Sequence, residues 1–178
     1  YFLAWTTTPW TLPSNVALCV NPVETYVKIK VGDEKFILAE ALVETNFPDT
    51  EYEVVEKYVG TDLEYKEYEP LFNFVTPDKK AYYVTCDSYV TLTDGTGVVH
   101  TAPAFGEDDY RVGRVFGLPF RQYVDTQGNF TKEVTPWAGK FVKDCDKPII
   151  EYLKEKGLLF AAVPFEHSYP FCWRCDTP

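Results

Sequence analysis

The sequence contains no methionine in 178 residues and only two histidines. The lack of an initiating methionine predicts that the chain is part of a longer protein. A membrane-spanning helix needs an apolar run of about 18 residues, and all the apolar runs of this sequence are shorter, so we expect no membrane segment. The GxSxG motif of serine hydrolases is missing, and no second histidine lies near His100 at metal-ligand spacing. A serine triad and a metal-dependent hydrolase are therefore disfavoured.

Cysteine is scarce and scattered, and its five residues do not form a dense disulfide framework. This usage predicts a reducing compartment, of which the cytoplasm is the simplest choice. Cys172 and Cys175 form the sequence CWRC, whose spacing matches half of a four-cysteine zinc site. Two interpretations stay open: a zinc half-site completed by sequence elsewhere in a longer protein, or a buried turn with incidental thiols. We expect no cofactor or metal to be held by this chain alone.

Basic residues are outnumbered by acidic ones, 17 against 27, which gives a net charge of −10. Such a charge opposes the counterion release that drives nucleic-acid binding, so the isolated chain should bind polynucleotides weakly. The apolar content of 46% is nevertheless enough for the core of one globular domain, predicted over residues 1–178.

Short runs of β-branched and aromatic residues, separated by turn residues, predict a β-rich core. The predicted strands cover residues 1–8, 16–20, 25–31, 35–39, 52–59, 81–85 and 97–101. Apolar residues at helical spacing predict two helices, over 108–116 and 147–156, each followed by a glycine. Strands and helices do not alternate regularly, which favours an α+β domain built around a closed or strongly curved sheet.

The segment WTTTPWTLPSN, residues 5–15, places three threonines between an apolar strand and two prolines. Proline restricts the preceding residue to extended geometry, so Thr8 and Leu12 should lie outside the helical region in a stiff loop. Hydroxyls clustered on such a loop can line a polar site, although threonine also suits ordinary strands. The accompanying Trp10 and Asn15 make this segment more specific than a threonine run alone.

A second segment, GTGVVHTAPAFGEDDY at residues 95–110, carries His100 on a predicted strand and enters a helix through three acidic residues. Acids at a helix N-terminus are favoured by the helix dipole, but a carboxylate fixed there can also hold an ammonium group. His100 is open to three interpretations, as a base, a pocket wall or a hydrogen-bonded strand residue. The other histidine, His167, is interpreted as structural.

Together the two segments, about ninety residues apart, resemble the two signatures that line the editing pocket of isoleucyl-tRNA synthetases. The tail SYPFCWRCDTP is also similar to this family, in which it marks the return of the chain to the catalytic body. The valyl and leucyl enzymes usually carry arginine in TTRP, whereas this chain has Thr8, which favours the isoleucyl branch. The resemblance implies a class I editing domain of the cytosolic eukaryotic type, with a β-barrel core and peripheral helices.

The same resemblance implies a set of site residues and partners. Thr7, Thr8 and Asp109 are the implied catalytic residues, and Asp109 receives the α-ammonium group of the substrate. The implied substrate-binding residues are Thr6, Thr7, Thr8, Thr11, Asn15, His100 and Asp109. Of these, His100 shapes the side-chain pocket, while the neighbouring Asp108 is expected to be a helix-start residue. The implied partners are the 3′ end of an isoleucine tRNA carrying valine and the rest of a parent synthetase, a monomer in the cytoplasm.

The activity that the family implies is hydrolysis of valine wrongly attached to the isoleucine tRNA, with valyl-adenylate as a second candidate substrate. A synthetic site gains only ~1–3 kcal/mol from the methylene that distinguishes isoleucine from valine. A second site that selects the amino acid by size, a second sieve, is therefore needed. The alternative from a different class is a non-catalytic module that binds an aminoacyl end or an amino acid. A free-standing hydrolase acting on misacylated tRNA in trans is a further alternative, which the missing start residue disfavours.

Overall fold

The computed structural model describes residues 1–164 and 171–175 and shows a mixed α/β fold with small sheets. Within these residues the strands are β1 (Ala17–Val20), β2 (Thr25–Val31), β3 (Glu34–Ala39), β4 (Glu53–Val59), β5 (Tyr83–Cys86) and β6 (Val98–Thr101). They form two three-stranded sheets, with the strand orders β5-β1-β6 and β3-β2-β4. Each of the predicted strands from residue 16 onward is confirmed to within two residues at either end.

The first sheet is built around β1, which is parallel to β5 and antiparallel to β6. All four residues of β1 are buried, as expected for a central strand that is covered on both faces. Its antiparallel register places Leu18 opposite His100 and Ala17 opposite Thr101. This register brings the end of β6, where the second sequence motif continues, next to the start of β1, where the first motif ends.

The second sheet is antiparallel throughout, with β2 between β3 and β4. A register shift between Lys28 and Ile29 interrupts its pairing with β4. The edge strand β4 is almost wholly exposed and carries charged residues, including Glu53 and Lys57. Charges on an exposed edge strand discourage pairing with a second chain.

The N-terminal segment connects the two sheets and is not a regular strand, so the strand predicted over residues 1–8 is wrong. Phe2 forms a single parallel bridge with Ile37 of β3, whereas Trp5 forms one with Val99 of β6. Because its hydrogen bonds are divided between two different sheets, no continuous ladder develops along the segment. A closed barrel is not seen among the described residues, and the predicted β-barrel core stays a prediction.

The α-helices of the described residues are α1 (Val43–Asn46), α2 (Gly60–Leu63), α3 (Glu107–Phe116) and α4 (Asp146–Glu155). The last two confirm the predicted helices to within one residue, whereas the single-turn α1 and α2 were not predicted. Gly117 ends α3 in the left-handed conformation at φ 67°, which glycine adopts without the steric cost that a Cβ brings. Short 3₁₀ helices cover Pro9–Ser14, Glu40–Leu42, Thr135–Trp137 and Val142–Cys145.

A large buried cluster lies around Trp137, Ile149 and Leu153, and it includes Leu12 from the first sequence motif. The 3₁₀ helix Pro9–Ser14 therefore packs against the helical layer that contains α4 rather than extending into solvent. The two sheets bury their own apolar faces in separate clusters. Packing of this kind fixes the threonine segment relative to the rest of the fold.

Candidate functional site

The first sequence motif turns into a 3₁₀ helix directly after the threonine run. Thr8 precedes Pro9 at φ −129° and ψ 77°, outside the helical region as predicted. Leu12 also precedes a proline but lies inside the 3₁₀ helix, so the prediction for Leu12 is wrong. A turn this short tolerates Pro13 because the backbone hydrogen bonds from Thr11 to Thr8 and from Asn15 to Leu12 need no proline N–H.

Helix α4 anchors this segment through its first residue. The backbone N–H of Trp10 donates to Asp146 Oδ1 at 2.8 Å. Burial raises the pKa of the Asp146 carboxyl, and the Trp10 hydrogen bond opposes that shift. The threonine segment is thus attached by a hydrogen bond on one side and by Leu12 in the core on the other.

Three of the predicted threonines form a connected hydroxyl cluster. The backbone N–H of Thr8 donates to Thr6 Oγ1 at 3.1 Å, and the hydroxyls of Thr8 and Thr11 lie 3.3 Å apart. Thr11 Oγ1 donates to the carbonyl oxygen of Thr8 at 2.8 Å. Thr7 is half-buried, and its hydroxyl makes no hydrogen bond with other residues in the described part of the chain. The Thr7 hydroxyl is therefore available to a ligand as both donor and acceptor.

His100 is buried and has a hydrogen-bond partner at each ring nitrogen. Its Nε2 lies 2.9 Å from Thr11 Oγ1, and its Nδ1 lies 2.9 Å from Asn15 Nδ2. Burial lowers the pKa of His100 to about 4, so the ring is neutral near pH 7. An amide nitrogen only donates, so Nδ1 is the unprotonated atom and Nε2 carries the proton. His100 therefore donates to Thr11, and neither nitrogen is left to act as a base toward solvent.

The side-chain amide of Asn15 determines this arrangement. Asn15 Nδ2 donates to the carbonyl oxygen of Ala17 at 2.8 Å as well as to His100, which uses both of its hydrogens. Asn15 Oδ1 accepts the hydroxyl of Tyr68 at 2.5 Å. Sequence reasoning missed Tyr68, because it lies in neither motif and only the fold brings it to this position.

Asp109 is half-buried in the first turn of α3 and is held at both carboxylate oxygens. Its Oδ2 accepts the backbone N–H of Ala102 at 2.8 Å, and its Oδ1 accepts the hydroxyl of Tyr89 at 3.3 Å. Burial raises the pKa of the Asp109 carboxyl, and these two hydrogen bonds oppose the shift. Each oxygen keeps a free lone pair for a further donor. Tyr89, like Tyr68, was not found by sequence reasoning.

Asp108, the neighbouring acid, is exposed and accepts Arg111 Nη2 at 2.8 Å one turn along α3. Arg111 also pairs with Asp87, whose carboxyl pKa it holds below the usual range. Asp108 is thus a helix-start residue in a surface ion-pair network, as expected, and its charge is already matched. Asp109 differs because it faces inward and has no cationic partner among residues 1–164 and 171–175.

The end of β6 brings the two motifs together. His100 contacts Thr11 and Asn15 of the first motif, and Ala102, two residues further along, contacts Asp109. The rings of Trp10 and Phe105 add an edge-to-face contact at 5.0 Å between the same two segments. Side-chain hydrogen bonds connect five of the predicted site residues, Thr6, Thr8, Thr11, Asn15 and His100. Asp109 is joined to this set through the backbone from His100 to Ala102, and Thr7 makes none of these contacts.

A cavity of about 260 Å³ adjoins this set, and Tyr89 lines it. Trp5, the residue before the threonine run, lines the same cavity together with residues from 90 to 99. The cavity thus touches the partner of Asp109 and the start of the first motif, although the threonines themselves are not among its lining residues.

Cys172 and Cys175 are both exposed, rather than forming a buried turn. No group of three or more His, Cys, Asp or Glu side chains suited to a metal ion occurs over residues 1–164 and 171–175. The zinc half-site stays a prediction. His167 lies outside the described residues. Across the part of the chain that the structure covers, none of the helices is both long and apolar enough to cross a membrane.

Curated proteins similar to this chain are isoleucine-tRNA ligases. The enzyme from Clostridium novyi (strain NT) is 55% identical over 178 residues, covering 100% of this chain and 17% of that enzyme. The cytoplasmic enzyme of Mus musculus is 50% identical over 186 aligned residues, covering 99% of this chain and 15% of that enzyme. This chain therefore spans about a sixth of the length of these relatives. Bacterial and mouse enzymes match at similar identity, so the eukaryotic type stays a prediction.

Solved structures similar to this one are editing domains of leucyl-tRNA synthetases, while no family model matches the chain. The structure of GlLeuRS-CP1 aligns with a TM-score of 0.73 at 17% identity, over 95% of this chain and 85% of that one. The P. knowlesi cytosolic leucyl-tRNA synthetase editing domain aligns at 0.64 and 15% identity, over 87% and 81% respectively. The chain thus belongs to the isoleucyl-tRNA synthetase family, as a segment with the fold of these editing domains.

Proposed function

We propose that this chain hydrolyses valine from misacylated isoleucine tRNA, as the editing domain of a parent synthetase. The observation that carries the proposal is the contact between the two motifs, in which His100 joins Thr11 and Asn15 to the strand that leads to Asp109. This arrangement combines a cluster of hydroxyls with one inward-facing carboxylate. A site of that composition suits an amino acid ester, which presents an ammonium group and an activated carbonyl.

In this proposal Asp109 binds the α-ammonium group. Ala102 and Tyr89 fix the direction of the carboxylate, and each oxygen has a lone pair left for an N–H donor. The carboxyl pKa, raised by burial in the free protein, is expected to fall when the ammonium binds. Anchoring the amine places the ester carbonyl in a fixed position, and such positioning can supply much of the rate.

The threonine wall orients the ester and the attacking water. Thr11 uses its own hydrogen on the Thr8 carbonyl, so the Thr8 hydroxyl can donate to Thr11 and present its oxygen to the site. An oxygen presented in this way accepts a hydrogen bond from water and leaves a water lone pair directed at the ester carbon. Attack forms the bond from the water oxygen to the acyl carbon and breaks the bond from that carbon to the ribose oxygen, which leaves with the proton that the water gives up. Thr7 provides a second hydroxyl. The ester is already activated, so no covalent protein nucleophile is required.

The neutral, doubly hydrogen-bonded His100 is assigned to the pocket wall and not to proton transfer. A rigid wall serves the second sieve, since forcing an additional methylene into a closed pocket costs roughly 1–3 kcal/mol. Valine enters such a pocket, and isoleucine is excluded by its volume. Valyl-adenylate presents the same ammonium and acyl groups and is a second substrate in this proposal.

Because the chain is acidic, binding of the tRNA body is attributed to other parts of the parent enzyme. At a net charge of −10, the chain offers little electrostatic attraction for a polynucleotide. We therefore propose that the parent synthetase, a monomer in the cytoplasm, holds the tRNA and delivers its 3′ end. Cys172 and Cys175 would complete a zinc site only with ligands from that parent. The isolated chain should deacylate valyl-tRNA far less efficiently than the parent enzyme.

Replacement of Asp109 tests the proposed function. In the full-length enzyme, Asp109→Ala should abolish deacylation of valyl-tRNA and leave isoleucine activation unchanged. Asp108→Ala is the matched control, because Asp108 lies in the same helical turn but is exposed and paired with Arg111. Unchanged deacylation by Asp109→Ala would refute the proposal. Binding of a valyl ester without any hydrolysis by the unmodified protein would instead favour a non-catalytic binding module.

A further inference from the structure

Tyr68 contacts the site from outside both sequence motifs. It follows β4 and α2 in the chain, and its backbone N–H donates to the carbonyl oxygen of Tyr82 at 2.9 Å. Its ring packs edge-to-face on the ring of Tyr82 at 6.1 Å. Tyr82 itself lies in the left-handed region at φ 62° and donates its N–H to Val16 at 2.7 Å. A non-glycine residue held in that region indicates that the surrounding structure strongly determines the position of this segment.

The hydroxyl of Tyr68 is directed at the centre of the hydrogen-bond network. It donates to Asn15 Oδ1 at 2.5 Å, opposite the amide nitrogen that contacts His100. Burial raises the pKa of this phenol far above its usual value, so it remains a donor across the physiological range. A donor on Oδ1 and the acceptor Ala17 on Nδ2 both favour the same orientation of the amide.

The donor and acceptor roles in one hydrogen bond then determine those in the next. Tyr68 donates to Asn15, Asn15 donates to His100 Nδ1, and His100 Nε2–H donates to Thr11. Thr11 in turn donates to the Thr8 carbonyl, which leaves the Thr8 hydroxyl to donate to Thr11. A chain of polarised hydrogen bonds of this kind is stronger than its separate members. If the amide rotated, its oxygen would meet His100 Nδ1 and favour the opposite tautomer.

We propose that Tyr68 is a positioning residue for the hydrolytic site, acting through Asn15 and His100 to present the Thr8 oxygen as an acceptor for water. The inference rests on the proposed function, since it concerns the same hydroxyl wall. Tyr68 touches neither water nor ester in this account. Tyr68 instead orients the groups that contact water and the ester. Its loss should therefore lower kcat and leave KM nearly unchanged.

Tyr68→Phe tests this role, because it removes one oxygen atom and keeps the ring. We expect kcat for valyl-tRNA deacylation by the full-length enzyme to fall by about tenfold, the upper range for one hydrogen bond, with KM within about twofold. Tyr65→Phe is the matched control, since Tyr65 lies in the same segment, is exposed, and makes no hydroxyl hydrogen bond among the described residues. It should behave as the unmodified enzyme.

The tautomer of His100 can be measured, and it would not change if Tyr68 only stabilised the fold. Nitrogen NMR of the 178-residue chain distinguishes the protonated and unprotonated ring atoms, and His167→Gln assigns the signals because only two histidines are present. The unmodified chain should show Nε2 protonated, and Tyr68→Phe should move the two nitrogen shifts toward each other. Unchanged shifts overturn the proposal, even if kcat falls, because the effect would then not pass through His100.

Two further outcomes separate this inference from the proposed function. If Asp109→Ala abolishes deacylation but Tyr68→Phe changes neither kcat nor the His100 signals, the positioning role fails and the proposed function stands. If Tyr68→Phe does not fold, 3,5-difluorotyrosine at position 68 keeps the shape and makes the hydroxyl a stronger donor. It should then shift the Nδ1 resonance, and an unmoved resonance would overturn the role of Tyr68.

Discussion

Thr11 Oγ1 and His100 Nε2 lie 2.9 Å apart, although 89 residues separate them in the chain. The contact joins the 3₁₀ helix Pro9–Ser14 to strand β6, so the hydroxyl cluster is hydrogen-bonded to the strand that leads to Asp109. Both side chains are buried, which makes each dependent on the other for a hydrogen-bond partner. The relationship therefore connects the stability of the fold to the geometry of the site.

Thr11→Val should destabilise the protein and impair hydrolysis together. Valine keeps the shape of threonine but leaves His100 Nε2–H buried without an acceptor, which costs about 1–3 kcal/mol. The Thr8 hydroxyl also loses its acceptor at 3.3 Å. Urea unfolding of the chain measures the first effect, and deacylation of valyl-tRNA by the full-length enzyme measures the second.

Thr61→Val is the control for this change, because Thr61 is exposed in α2 and far from both motifs in the sequence. It should alter the free energy of unfolding by no more than about 0.5 kcal/mol, as is usual for surface substitutions. Equal unfolding free energies for Thr11→Val and Thr61→Val would contradict the hydrogen-bond assignment.

The contribution of His100 to the stability of the chain should fall as the pH is lowered from about 6.5 toward 4. Burial lowers the pKa of His100 to about 4, below the about 6.5 of an unfolded histidine. Between these values the unfolded chain binds the proton and the folded chain does not, so stability rises with pH by up to about 1.4 kcal/mol per unit. Above about pH 7 both states are neutral, and His100 adds no pH dependence.

His100→Gln isolates this contribution, since glutamine does not titrate. Asp109 acts in the opposite sense: its raised carboxyl pKa makes the folded chain bind a proton more readily, which favours folding in acid. We therefore propose to measure the unfolding free energies of the unmodified chain and of His100→Gln from pH 4 to 8. The contribution of Asp109 is the same in both proteins, so it cancels in the difference between them. A difference that does not vary with pH would show that His100 is not buried and neutral.

Gly113→Ala should destabilise the protein even though alanine is the better helix former. Propensity alone favours alanine by about 1 kcal/mol in a helix. A Cβ at this position would lie 2.9 Å from Pro103 Cγ and 3.1 Å from Pro103 Cβ, and such overpacking costs about 1–3 kcal/mol. Relief requires α3 to move away from the turn at Ala102, which lengthens the 2.8 Å contact to Asp109.

We therefore expect Gly113→Ala to reduce both the unfolding free energy and the deacylation rate. Val115→Ala tests helix propensity alone, because Val115 is 75% exposed on the same helix. That control should be neutral or slightly stabilising. If Gly113→Ala were as stable and as active as Val115→Ala, the close packing of α3 on Pro103 would not determine the position of Asp109.

Much of the secondary structure could be predicted from the sequence. The long elements α3 and α4 have clear helical spacing and end at glycines, and β1 to β6 are short apolar runs between turn residues. The strand predicted over residues 1–8 was wrong because local propensity does not show that Phe2 and Trp5 pair with different sheets. Long-range pairing of this kind is decided by the tertiary structure.

The candidate site was predicted in part, for a similar reason. The structure brings Thr11, Asn15 and His100 of the two motifs into contact, and their roles in binding stay predictions. The proline rule misplaced Leu12, because it describes a single residue and neglects the packing of Leu12 in the core. Tyr68 and Tyr89 were missed because neither lies in a motif, and their hydroxyls reach the site only through the fold.

A structure of the chain with a nonhydrolysable valyl-adenosine mimic tests the central claim most directly. The account predicts that the α-ammonium group lies within about 3 Å of Asp109, and that the acyl carbonyl lies against the hydroxyls of Thr7 and Thr8. Both contacts should be made by one bound molecule. A mimic bound elsewhere, or one that touches Asp109 but none of the threonines, would contradict the account.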